Sequence, residues 1–338
     1  VREAESAINS KQENGARDAL AGAATGMPNK RKTALAYAMV YMFWGSTFLA
    51  VRYAVETTPP LLLVAMRQIL AGLVLYPLAR WHSKEKTTAR QWLDGAIIGA
   101  LLIAGGNASI SWAEAKQTPS NVAAVLVATV PLWMAILDWL RPHGPRPTLR
   151  IAVGLAIGLA GVGLLVSPND PFLHTAGGSV KPICALVLFG GSLAWAAGSV
   201  FSRHLEMPKS PLLGAAIITL TGGAVLCVIA LALDEGSRLH FASISTRSWM
   251  ALVYLSVFGS IIGYSAYAHL LVSEPPARVA TYAYVNPIVA VILGWAIADE
   301  RLSARMAVAA AVILAAVVMV ITSPHPPEEG SGQPVVPD

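Results

Sequence analysis

Residues 279–303 read VATYAYVNPIVAVILGWAIADERLS, an apolar run of helical length that carries tyrosines and, at Asn286-Pro287, a polar side chain beside a proline. A proline inside a helix withholds one N–H from the ladder, here the bond to the carbonyl of Ala283, and so marks a bend or hinge. An amide and phenols on such a run are costly unless they face other helices or a wet cavity. The segment therefore reads as a membrane helix with one functional face, and the rest of the chain can be read outward from it.

The same pattern occurs upstream. ATYAYVNPIVAVILGW (280–295) aligns with AVLVATVPLWMAILDW (124–139) at an offset of 156, pairing Pro287 with Pro131 and Trp295 with Trp139. WAAGSVFSR (195–203) aligns with WGSTFLAVR (44–52) at an offset of 151, pairing Trp195 with Trp44. The chain is a duplication, and in the second copy the residue before the proline is Asn286 instead of Val130.

Composition fixes the solvent. Of 338 residues 55% are hydrophobic and 13% charged, about half the ~25% charge of a soluble domain, and the mean hydropathy is +0.58. Apolar runs of about 18–24 residues, the length that crosses ~30 Å of hydrocarbon, fall near 34–53, 61–79, 92–112, 119–140, 149–167, 182–202, 211–233, 249–271, 277–297 and 304–322. The fold expected is an all-α polytopic membrane protein of ten transmembrane helices. Five spans per copy put the second copy into the membrane from the opposite side, giving inverted repeats at 34–167 and 180–322, an architecture of secondary transporters. The first run lacks a small-residue cleavage site and is read as a retained span. Residues 1–33 are expected to be a polar, disordered extension, with Met27 as a natural start, and 323–338 a disordered tail.

Orientation follows from cations. With the N-terminus in the cytoplasm, Lys30, Arg31, Lys32, Arg80, Lys84, Lys86, Arg90, Arg141, Arg146, Arg150, Arg203, Lys209 and Arg278 lie inside, outnumbering Arg52, Lys116, Lys181, Arg238, Arg247, Arg301 and Arg305 outside. The positive-inside rule then places both termini in the cytoplasm. The net charge of +5 reflects this topology, and no basic patch interleaved with aromatics points to nucleic acid. Cys184 and Cys227 sit within apolar runs as packing residues.

WGST (44–47), PPLLLVAMR (59–67), GNASISWAEAKQTPSNVAAVLVATVP (106–131), AIGLAGVGLL (156–165), GSLAWAAGSV (191–200), FGSIIGYSAY (258–267) and TYAYVNPIVAVILG (281–294), in this order, resemble the EamA family of the drug/metabolite transporter superfamily. The resemblance implies a ten-helix, inverted-repeat carrier of the bacterial inner membrane, usually an exporter of metabolites such as amino acids. One departure stands out. Asp299-Glu300-Arg301-Leu302 resembles the family's helix connection, whereas the first copy has Leu140-Arg141-Pro142-His143-Gly144-Pro145, without an acid. That speaks against a symmetric pair of acidic gates and reads the first connector as a stiff loop.

Candidate site residues come from helical spacing. Asn107, Ser111 and Glu114 share a face of the third run. Tyr264 and Tyr267 share one with Ser260 on the eighth, and Tyr282 shares one with Asn286 on the ninth. Tyr41, Trp44 and Phe48 form a stripe on the first run that Trp195 and Ser199 repeat on the sixth. Substrate contacts are expected from Trp44, Asn107, Ser111, Trp195, Tyr264, Tyr267, Tyr282 and Asn286. Gating or coupling is expected from Arg67, Glu114, Pro131 and Pro287. The alternatives are helix packing for the polar stripes, a solvated helix end for Glu114 and, for Arg67, snorkelling, bonds to backbone carbonyls or receipt of a substrate carboxylate. Gly95/Gly99, Gly154/Gly158 and Gly259/Gly263 are close-packing pairs.

No Walker A sequence, HExxH or metal-ligand spacing occurs, so neither a cofactor nor a metal is expected, and transport would be secondary. The expected partners are a small-molecule substrate, membrane lipid and a proton or counter-substrate, with the monomer as the working unit. With so few intramembrane carboxylates, Glu114 foremost, passive facilitation is nearly as compatible with the sequence. Competing readings are a membrane receptor, a lipid-acting enzyme, which would need a catalytic constellation, and a channel, which would need a continuous polar lining.

Overall fold

The computed structural model describes residues 30–140, 148–166, 181–202, 204–274, 279, 281–300 and 304–322. The N-terminal extension up to residue 29, the acid-free connector from Arg141, Arg203, Arg301-Leu302 and the tail from residue 323 lie outside the described residues.

Among the described residues every regular element is helical. In chain order the long ones are α1 (Lys30–Ala54), α2 (Pro60–His82), α3 (Ala89–Ala115), α4 (Ser120–Val127, resuming as Val130–Leu140) and α5 (Leu149–Val166). There follow α6 (Pro182–Phe201), α7 (Pro211–Ala232), α8 (Thr246–Leu270), α9 (Tyr282–Ala298) and α10 (Ala304–Ile321). Seven of them, α1–α4 and α6–α8, are long and apolar enough to cross a membrane, while α5, α9 and α10 are apolar over shorter stretches. The outward faces are apolar too: Leu73 is 59% exposed, Val228 68% and Met250 69%. Such faces suit lipid rather than water.

Helix ends are set locally. Pro60, Pro182 and Pro211 stand at first-turn positions, where no N–H is required. Thr88 and Gln91 form a reciprocal capping box that starts α3. Distant carboxylates cap others. Glu235, just after α7, accepts from the Leu61 and Leu62 amides at the start of α2 (2.9 and 3.0 Å). Glu85, just after α2, accepts from the Lys209 and Ser210 amides at the start of α7 (2.9 and 3.1 Å). The two helices thus cap each other, each supplying negative charge to the other's positive N-terminal end.

Packing repeats the exchange. α2 lies on α7 and α5 on α10, while α3 packs on α6 as α8 packs on α1, and α4 packs on α6 as α9 packs on α1. Glycines allow close approach between helices: a Cβ on Gly99 of α3 would come within 2.7 Å of the Gly222 amide of α7, and one on Gly154 of α5 within 2.8 Å of Val320 Cγ2 of α10.

The two prolines behave differently. Pro131 offers no N–H to Val127, and Thr129 turns its own N–H (3.2 Å) and hydroxyl (2.7 Å) back to Leu126 O, so α4 breaks at Ala128-Thr129. Pro131 then sits in the first turn of the resumed helix. Pro287 lies inside a continuous α9. The two prolines paired by the duplication thus stand in different settings: one copy breaks its helix just before the proline and the other runs through it.

Candidate functional site

Three helices widen into π turns, at Val40–Trp44 in α1, Ala100–Asn107 in α3 and Leu255–Ile262 in α8. A π turn advances the ladder by an extra residue and re-aims the side chains beyond it. In α8 the Gly263 amide reaches Phe258 O and Ser260 O. The Gly259 carbonyl, passed over, instead accepts from Trp44 Nε1 at 3.1 Å. Trp44 and Asn107, the last residues of their π turns, and Gly259 all line one cavity.

Trp44 is the hub of this cavity. Its ring centroid lies 6.0 Å from Trp195, 5.7 Å from Tyr264, 4.9 Å from Tyr267 and 5.2 Å from Tyr282. The interplanar angles of 89° to Trp195 and 90° to Tyr282 are the edge-to-face geometry that aromatic quadrupoles favour. The cavity spans about 650 Å³, a figure that includes the open space at its mouth.

Arg67, 4% exposed, reaches it from α2. Its Nη2 donates to Asn107 Oδ1, and Asn107 Nδ2 donates to the Tyr264 hydroxyl at 3.2 Å. From α9 come Tyr282, Ala283, Asn286 and Pro287, and from the break in α4 come Val127, Ala128 and Val130. Arg67 Nε and Asn286 Oδ1 are buried without a hydrogen-bond partner.

Of the expected substrate contacts, Trp44, Asn107, Trp195, Tyr264, Tyr282 and Asn286 line the cavity together, whereas Ser111 and Tyr267 do not. Ser111 is fully buried one turn beyond. The lining on α3 runs from Asn107 through Ile110, the other member of the i+3/i+4 pair. Tyr267 stands behind Trp44 and Tyr282, whose rings it contacts at 4.9 and 5.9 Å. Of the expected gating residues, Arg67 and Pro287 line the cavity, and Pro131 adjoins it through Val130. Ser199 bonds the Trp195 carbonyl of its own helix at 2.8 Å. Glu114 is 4% exposed, so it is no solvated helix end, and both of its oxygens lack hydrogen-bond partners.

Sequence reasoning passed over Thr47 and Ile110, which line the cavity with no polar spacing to announce them. It also read Glu300 only as part of a connector. That carboxylate is 6% exposed and caps the N-terminus of α4. Its Oε1 accepts from the Ser120 amide and hydroxyl, both at 2.9 Å, and its Oε2 from the Asn121 amide at 3.1 Å. Arg52 Nη1 lies 3.1 Å from the same Oε1. The two halves are clasped here, at the opposite end of α9 from the contact of the Tyr41 hydroxyl with Thr281 Oγ1 (2.6 Å).

Long apolar helices with lipid-suited faces, packed around a buried aromatic cavity, belong to a multi-pass membrane transporter. The EamA-like transporter family matches residues 32–167 and again 182–322. The chain belongs to that family, one of transporters and not of enzymes. It is 38% identical over 281 residues to the uncharacterized inner membrane transporter YedA of Escherichia coli (strain K12), covering 83% of this chain and 88% of that protein. To the uncharacterized transporter YvbV of Bacillus subtilis (strain 168) it is 24% identical over 302 residues, covering 87% and 90%. A WAT1-related chloroplastic protein of Arabidopsis thaliana is 26% identical over 290 residues, covering 83% and 67%. A solved crystal structure shares the fold with a TM-score of 0.58 at 18% identity, covering 87% of this chain and 98% of that one.

Proposed function

We infer that the protein is a secondary or facilitative carrier that exports small amphipathic metabolites, amino acids or related compounds, across the bacterial inner membrane by alternating access. The observation that carries this reading is the cavity, which takes its walls from both halves: Trp44, Asn107 and Arg67 from the first, and Trp195, Tyr264, Tyr282 and Asn286 from the second. A site shared between two repeats is the place where rocking of one against the other exposes it to alternate sides.

Ten crossings, with both termini in the cytoplasm and repeats at 34–167 and 180–322, are the arrangement in which this works. The mutual capping of α2 and α7 and the exchanged helix neighbours support it, because a twofold axis in the membrane plane produces both. Trp44, Trp195, Tyr264, Tyr282 and Asn286 hold the solute, with Tyr267 supporting Trp44 and Ser111 supporting α3. Glu114 is the carboxyl available for coupling, lying within electrostatic reach of Arg52, Arg67 and Glu300.

Reconstituted vesicles test the proposal. Preloaded with a broad metabolite mixture, they should release particular compounds faster than empty vesicles, and Asn286→Leu should abolish that release. A panel with no flux above protein-free vesicles rejects the transport assignment.

A further inference from the structure

Arg67 is a formal charge inside a site otherwise built of aromatic, aliphatic and amide groups. Among the described lining residues it is the sole ionisable side chain other than tyrosine, and no Asp or Glu accompanies it. Three other described arginines have a carboxylate at contact distance: Arg52 has Glu300, Arg90 has Asp94 and Arg247 has Glu56. Among the described residues Arg67 has no such ion pair. Its hydrogen-bond acceptor is the amide oxygen of Asn107, its Nε has no partner, and Glu114 acts on it through space only.

A buried guanidinium is stable when it is paired and its donors are met. Asn107 meets one donor and supplies no charge. Nor does the site present a carboxylate that would oppose a second anion or receive a cation. We propose that Arg67 is the anion-recognition residue of this cavity, and that the transported class is a monocarboxylate with a planar or apolar body.

The guanidinium fork matches the two oxygens of a carboxylate. A single cation balances one negative charge, which selects a carboxylate over a phosphate dianion. The rings of Trp44, Trp195, Tyr264 and Tyr282 bury the body, and Asn286 Oδ1 accepts a donor from it where one is present. A cationic solute would meet Arg67 as a like charge at short range. This inference rests on the cavity being the transport site and adds to it the charge of the cargo.

The test compares matched compounds on the purified full-length protein in detergent. Aryl and alkyl acids, with 3-phenylpropionate as the reference, are each paired with the carboxamide and the ammonium of the same skeleton, and binding is measured by calorimetry. The expected result is a preference of at least about tenfold for the acid over its amide, equivalent to ~1.4 kcal/mol, with the ammonium weakest. Arg67→Gln should bring the acid-to-amide ratio close to one, while Arg67→Lys should keep part of it. The ratio is read within one preparation, so a partly folded variant still reports it. Amides or ammoniums that bind as well as the acids, with binding lost in Trp44→Ala, overturn the carboxylate class and leave the cavity standing. If no compound of any charge binds, or if binding ignores Trp44→Ala, the cavity reading fails and the inference fails with it.

Discussion

A Cβ on Gly263 would overlap the Trp44 indole, and one on Gly259 would come within 2.9 Å of Thr47 Cγ2. Two absent methyl groups therefore set how closely α8 approaches the hub residue of the cavity. Gly263→Ala should tilt Trp44, break its bond to the Gly259 carbonyl and lower transport by an order of magnitude or more, about 1.4 kcal/mol in the barrier. Gly190→Ala, where a Cβ meets nothing within 4 Å, should leave flux unchanged, and equal losses in the two variants would reject the steric explanation. Trp44→Ala goes further, removing a large buried ring at a cost of about 3–5 kcal/mol, readable as a lower midpoint in denaturant titration. At this scale the sequence was informative where a polar or aromatic group stood out against an apolar run. Tyr282 and Asn286, spaced by four, and Trp44 and Trp195, paired by the duplication, all reach one cavity. It misplaced Ser111, because i+3 and i+4 neighbours straddle one helical line and only packing decides which of them meets the space.

Helix existence was written in the apolar runs, since about twenty residues without charge allow few alternatives. The π turns and the break in α4 were not, because their residues, such as ALLIAGGN at 100–107, have no composition that separates a π turn from an α turn. Glu300 shows the other limit: its acid is visible in Asp299-Glu300, but its partners Ser120 and Asn121 lie 180 and 179 positions away. Because that carboxylate accepts three hydrogen bonds in a buried setting, Glu300→Gln should cost about 2–3 kcal/mol. Arg52→Gln should cost at most about 1 kcal/mol, since Arg52 is 35% exposed and its pair is screened by solvent. Unfolding titrations of the two purified variants check the order, and a larger loss for Arg52→Gln would show that the ion pair, rather than the helix cap, holds this end. In α9, Pro287→Ala restores an N–H for the Ala283 carbonyl. The variant should be more stable and slower in transport, whereas faster flux would deny that the proline supplies the motion.

Over the whole molecule, the offsets of 151 and 156 made the duplication legible, but not which helices pair across it. α2 and α7 turn out to pair with each other, as do α5 and α10, a choice that equally apolar faces cannot announce. The consequence is mechanical. α2 and α7 are locked by reciprocal carboxylate caps, so they form a frame, while α1 with α9 and α4 with α6 flank the cavity as exchangeable pairs. One end is clasped by Glu300 on Ser120 and the other by Tyr41 on Thr281. In a carrier that alternates, loosening one clasp must accompany closing the other, because the same cavity cannot be open at both ends without becoming a leak. Cys184 and Cys227 are free thiols, so replacing both by alanine gives a background in which Ser120→Cys or Thr281→Cys is the single reactive site. Labelling with an impermeant maleimide, from either side of inverted and right-side-out vesicles, then reports each clasp separately. A saturating transported compound should raise the reactivity of one cysteine and lower that of the other. It should also leave Leu61→Cys, within the capped start of α2, unchanged. Reactivities that move in the same direction would mean that the two ends open together, which is the behaviour of a channel and not of a carrier.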